Sequence, residues 1–239
     1  MRAIRIRSAG HWAAAERLHG EIASRELGFE PGVAIMSRPS PSALDRRGRV
    51  WLALDRDLAV GTIRARYGSD GDLGEHDSRG GLAPLINAVG PERIVVYDRF
   101  EVLPHYRSSL AAPLLMKVVA EDTLRRGVDV AVFTCEPGEV PLYESLGFRR
   151  YRSPSDPPPG GPVPMVLVYS DRAHLTAVGS PIRNRIPDRI PAAIDPMLAR
   201  LIHGAAIERR CRGHSRGRHR RLPTVTDRIS EGATAWWLG

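Results

Sequence analysis

Between residues 93 and 152 the chain alternates short apolar runs with longer amphipathic ones, and this order limits the fold more than any other feature. "RIVVYDRFEV" (93–102) reads as a strand, and "AAPLLMKVVAEDTLRRG" (111–127) as a helix with Leu114, Leu115, Val118 and Val119 on one face. Arg125 and Arg126 suit the negative C-terminal end of that helix, and Gly127 suits the residue after its last turn. "VDVAVF" (128–133) is then a buried strand, "GEVPLYESLG" (138–147) a short helix closed by glycine, and "FRRYR" (148–152) another strand. Strand, helix, strand, helix, strand in that order implies an α/β sheet with at least one parallel crossover, because parallel neighbours cannot be joined by a tight turn.

The flanking segments extend the same sheet. Residues 3–7 alternate apolar and charged as a half-buried strand does, and 11–27 place Trp12, Ala15, Leu18, Ile22 and Leu27 at near-helical spacing. "VWLALDRDLAVGTIRARY" (50–67) predicts an antiparallel hairpin turning at Asp55-Arg56-Asp57, and the Gly/Asp-rich stretch 68–81 predicts a loop. The apolar run "MVLVYS" closes the body near residue 170. The domain division read from the sequence is therefore 1–170, followed by an appendage over 171–239 with a helix near 194–208 and a partly disordered basic tail.

Charge is concentrated in that appendage. The chain carries a formal net charge of +8, of which seven arginines in "RRCRGHSRGRHRR" (209–221) supply all but one. A polybasic arm of this kind can meet RNA, an acidic protein or a carrier protein by charge, without sequence specificity. No run approaches the ~20 apolar residues of a membrane span, and the N-terminus is charged where a signal peptide is apolar, so a cytoplasmic protein is expected. Cys135 and Cys211 have no partners at metal-ligand spacing, which predicts free thiols and no metal site.

Two motifs in the centre carry a family resemblance. Val102, Pro104, Tyr106 and Arg107 form V-x-P-x-Y-R, and Tyr143, Gly147 and Phe148 form Y-x-x-x-G-F one helix and one strand later. In this order they resemble the central and C-terminal motifs of the GNAT acyltransferase superfamily. The resemblance implies a mixed, mostly antiparallel sheet, splayed in the middle and flanked by helices, with acetyl-CoA or another acyl-CoA as donor and no metal. It places the family's pyrophosphate loop on Arg107, Ser108, Ser109, Leu110, Ala111 and Ala112, with Leu110 standing where the family has glycine. It also places the pantetheine arm against backbone groups from Phe100 to Val102. "RLHGEIASRELGF", "VGTIR" and "DRFEV" are similar to segments of the acyl-homoserine lactone and N-acyl amino acid synthases, which take long acyl chains from acyl carrier protein.

The implied reaction is direct attack of an amine, on a small molecule or a protein, at the thioester. Such an amine has to lose a proton, and the departing thiolate has to be stabilised. Tyr143 matches the family's tyrosine in the second role. Glu101 is the base placed nearest the splay, with Asp98 as runner-up, and Arg64 and Arg99 can bind an acceptor carboxylate through paired hydrogen bonds. Strict alternation along 93–102 puts Tyr97, Arg99 and Glu101 on one face, and Asp98, Phe100 and Val102 on the other. Two other activities fit the same residues: long-chain transfer fed by a carrier protein, and a non-catalytic module that binds an acyl thioester.

Overall fold

The computed structural model describes residues 1–27, 48–71, 73, 82–151, 161–187, 198 and 202. Predicted features at 28–47, 74–81, 152–160, most of 188–208, the arginine run, Cys211 and Trp236-Trp237 lie outside these residues. Strand β1 (Arg2–Arg5) leads into helix α1 (Ala9–Leu27), whose Leu18 and Ile22 are buried. Strands β2 (Arg49–Asp55) and β3 (Leu58–Tyr67) form the predicted hairpin. Its turn is closed by Arg56 at φ 54°.

Helix α2 (Ala83–Val89) follows, which the sequence reading does not contain. At seven residues it is too short to show periodicity, yet Leu82, Leu85 and Val89 are buried against Ile94 and Val96. Then come β4 (Ile94–Val102), α3 (Ala111–Arg125), β5 (Val130–Cys135), α4 (Val140–Leu146), the two-residue β6 (Arg149–Arg150) and β7 (Val163–Val168). Among the described residues seven strands form one sheet in the order β1-β2-β3-β4-β5-β7-β6, in which only β4 and β5 pair in parallel.

One face of the sheet carries Ile63, Ala65, Tyr67 and Tyr97, and meets α3 through a buried chain of hydroxyls. Tyr97 Oη lies 2.7 Å from Thr123 Oγ1 and 2.6 Å from Tyr169 Oη, while Tyr67 donates to Asp122 at 3.0 Å. Each hydroxyl in this chain has a partner, which offsets the desolvation that burial imposes on it.

The body does not end at residue 170. Helix α5 (Arg172–Ala177) begins with Asp171 accepting from His174 N, and Leu175, Ser180 and Ile182 are fully buried, with Ile186 nearly so. Ser180 Oγ donates to Leu146 O at 2.5 Å, His174 Nε2 lies 3.2 Å from Gly147 O, and Arg149 pairs with Asp171. Residues 171–187 thus clasp the C-terminal end of α4. Gly147 has φ 108°, and a Cβ there would stand 2.5 Å from Leu175 Cδ2, so glycine is required on both counts. Leu198 and Ile202, within the predicted helix, are helical and buried in the cluster under α2.

Strand β4 is bulged. Thr62 pairs with Glu101 and Arg64 with Asp98, so Ile63 alone faces Arg99 and Phe100. Arg99 takes φ 48° at this point, a conformation that costs an L-residue about 1–2 kcal/mol. Arg99→Gly is therefore expected to be more stable than Arg99→Ala by about 1 kcal/mol, some 2–4 °C in thermal midpoint, read by paired melting curves. Comparing the two variants cancels the loss of the arginine side chain, which both share.

Candidate active site at the parting of the sheet

The parallel pairing of β4 and β5 covers only Ile94–Val96 and Val130–Val132. Beyond it β4 stays with β3 and β5 stays with β7, so the sheet parts. The bulge lies inside this parting and corrects the face assignment read from strict alternation. Residues paired directly across antiparallel strands share a face, so Glu101 lies with Thr62, and Asp98 with Arg64, on one side. Tyr97, paired with Ala65, lies on the other.

Rings line the parting. Tyr143 on α4 is 4.3 Å from Phe133 on β5 and 6.0 Å from Phe100 in the bulge, centroid to centroid, and meets Phe148 edge-on at 6.1 Å. Burial raises the Tyr143 hydroxyl well above its ordinary pKa, Glu139 and Cys135 add to this, and Arg107 acts against it. At neutral pH the group keeps its proton and is available as a hydrogen-bond donor. Cys135, at the end of β5, is pushed up to about 11 by burial. The thiol is therefore largely protonated at pH 7, whereas a nucleophilic cysteine acts as its thiolate.

The turn from β4 to α3 is built without glycine and without strain. Leu103 N donates to Val60 O at 2.9 Å, Tyr106 Oη donates to Asp55 at 2.9 Å, and Arg107 Nε donates to Val102 O at 3.3 Å. Arg107 N and Ser109 N bond back to Pro104 O and Tyr106 O, and Ala111 N donates to Ser109 Oγ at 3.1 Å. The amides of Ser108, Leu110 and Ala112 have no acceptor among the described residues. They stand at the N-terminus of a 15-residue helix, where donors and dipole favour an anion. Leu110 has φ −75° and its residue surface is 72% exposed, so the turn does not need the freedom of glycine there. Pro113 sits in the first helical turn, where its missing N–H has no cost.

The other predicted side chains lie on β3 and β4. Arg64 is buried and grips Asp98 with Nε and Nη2 at 2.6 and 2.9 Å, while Arg66 bonds the same carboxylate at 2.7 Å. Asp98, the runner-up base, is thereby held by two guanidiniums. Arg99 is exposed at the crest of the bulge. Glu101 Oε2 lies 2.7 Å from Nδ1 of His19 on α1, with both side chains about four-fifths shielded. Sequence reasoning missed His19: it is 82 residues from its partner, and no spacing rule connects a helix position to a bulged strand. Among the described residues no group of His, Cys, Asp and Glu could hold a metal ion, and no helix is long and apolar enough to cross a membrane.

No family model matches the chain, and no curated protein does. Solved structures match it in shape. FeeM, an N-acyl amino acid synthase from uncultured soil microbes, is similar at TM-score 0.53 and 15% identity over 73% of this chain and 95% of its own. TofI in its apo form is similar at TM-score 0.52 and 15% identity, over 77% and 99%. BjaI, a CoA-dependent acyl-homoserine lactone synthase with SAM and isopentyl-CoA, is similar at 0.50 and 17%, over 72% and 84%. The likeness is one of fold, and it is the GNAT fold: a mixed, mostly antiparallel, splayed sheet flanked by helices.

Proposed function

We propose that this chain is an N-acyltransferase that moves an acyl group from an acyl-CoA thioester to an amine by direct attack. The observation that carries the reading is the parting of β4 and β5, with the turn whose amides at Ser108, Leu110 and Ala112 have no acceptor among the described residues and the proton-holding Tyr143 set about it. The amides and Arg107 suit a phosphate group of the donor. Backbone groups from Phe100 to Val102 suit its amide-bearing arm, because β4 pairs with β5 only over Ile94–Val96.

In the reaction the amine nitrogen forms a bond to the thioester carbonyl carbon, its surplus proton passes to Glu101, and the carbon–sulfur bond breaks. A thiol near pKa ~8.5 is a weaker base than a phenolate of 10 or above, so full transfer from Tyr143 to the thiolate runs uphill by at least about 2 kcal/mol. Tyr143 serves by hydrogen-bonding the thiolate as it forms, and water completes the protonation. The largely protonated state of Cys135 agrees with a route that has no acyl-enzyme. Of the two arginines, Arg99 stands exposed at the crest of the bulge, from which it can reach an acceptor carboxylate, while Arg64 gives two donors to Asp98.

Exposed Leu110 at the donor turn favours a second reading, in which the donor arrives on acyl carrier protein and the acyl chain is long. FeeM is an N-acyl amino acid synthase, which is consistent with it. Melting the protein with acetyl-CoA, dodecanoyl-CoA and dodecanoyl carrier protein separates the two, because the donor bound by the folded state raises the midpoint. A mass-spectrometric screen of amino acids and alkyl amines with that donor then finds the acceptor. No shift with any thioester overturns both readings, and a shift without transfer would identify a binding module. Tyr143→Phe is expected to lower kcat by about tenfold to a hundredfold, the worth of one hydrogen bond to a charged atom, while the rings keep their packing. Wild-type kcat in this variant would remove Tyr143 from the chemistry.

A further inference from the structure

We propose that His19 is a positioning residue for Glu101, so that helix α1 takes part in setting up the base. The inference rests on the reading of Glu101 as the group that receives the amine proton. His19 Nδ1 lies 2.7 Å from Glu101 Oε2, the distance of a charge-assisted N–H···O⁻ bond. With Nδ1–H donating there, the carboxylate is held in one rotamer, and Oε1, which has no hydrogen bond among the described residues, is left to take the amine proton.

The bond matters because of where Glu101 sits. It is the first residue after the bulge, on a length of β4 that β5 does not support. A glutamate has three side-chain torsions, and without a second contact its carboxylate would spend much of its time in rotamers that miss the amine. His19 is in turn held by its neighbours on α1, since Leu18 and Ile22 are buried in the main core. The pair is mostly shielded from solvent, so screening by salt weakens it less than a surface contact.

The test compares three variants of the full chain with the donor and the best acceptor from the screen above. Asparagine can place an amide N–H where histidine has Nδ1–H, whereas leucine cannot donate. His19→Leu is expected to lower kcat about tenfold with the acceptor KM changed less than about twofold, and His19→Asn to recover most of that loss. In ¹⁵N-histidine spectra the His19 ring of the wild type should carry its proton on Nδ1, and Glu101→Gln should weaken that preference. If Glu101→Gln is slow but His19→Leu turns over like wild type, the positioning role is wrong and the base stands. If Glu101→Gln turns over like wild type, the base is wrong and the role of His19 falls with it. A midpoint lowered equally in His19→Leu and His19→Asn, with kcat unchanged in both, would make His19 a packing residue and overturn the inference.

Discussion

A chain ended at residue 170 is expected not to fold. It would lack Leu175, Ile182 and Ile186, all within the main core, and Ser180, which donates to the last carbonyl of α4. Truncating one buried Leu or Ile to alanine costs about 2–5 kcal/mol, so losing three approaches the whole ~5–15 kcal/mol by which a domain is stable. Ordering entropy recovered from the deleted segment offsets part of this. The end of α4 at Leu146 and Gly147, against which Leu175 and Ser180 pack, would be laid open and adds an aggregation hazard. The expected result is an insoluble chain, or one whose circular dichroism melts without a cooperative step. A chain ended at residue 204 keeps every described residue and serves as the control. A cooperative melt of the 170-residue form at the midpoint of this control would show that the clasp on α4 is dispensable.

Glu101→Gln should lower kcat/KM for the amine about a hundredfold at pH 7, the lower end of what general bases supply. Glutamine keeps the shape of the side chain and a carbonyl oxygen for His19, but it cannot take up a proton. The deficit depends on the acceptor. An α-amino group, pKa ~8, is about one-tenth neutral at pH 7, whereas an alkyl amine, pKa ~10.4, is neutral less than once in a thousand. Raising the pH should therefore shrink the deficit as the amine deprotonates by itself, and more steeply for an alkyl amine. Tyr143 does not confuse this profile, because burial keeps its hydroxyl protonated well past pH 10. A deficit of the same size at pH 7 and pH 9.5 would mean that Glu101 binds the acceptor and does not deprotonate it.

Much of this architecture was legible in the sequence because it is written in local patterns. Apolar runs and glycine stops marked β4, α3, β5 and α4, and the two motifs singled out the turn at Arg107 and the helix that carries Tyr143. What was not legible depends on pairing. Periodicity assumes an unbroken strand, so it set Tyr97 beside Glu101; the two-against-one register at Ile63 reverses that, and it exists only because β3 lies alongside. The engagement of Arg64 with Asp98 has the same origin, since it is a cross-strand pair 34 residues apart. Leu175, Ile182 and Ile186 carry too little periodicity to stand out, and they declare themselves core residues only once packed into the main core. Leu110 drew attention because glycine was expected there, yet the turn keeps ordinary backbone angles and sends that side chain to solvent.

The parting of the sheet has a further consequence. From Tyr97 onward β4 is an edge strand in the middle of a sheet: its inner side offers a row of peptide donors and acceptors that β5 does not take up. Proteins usually blunt such edges with charge, proline or a covering segment, because an open edge recruits other chains. Here the open length lies within the sheet, between β4 and β5, with the rings of Phe100, Phe133 and Tyr143 set beside it. On the proposed reading this liability becomes a docking edge, along which an extended, amide-bearing arm hydrogen-bonds as a strand does.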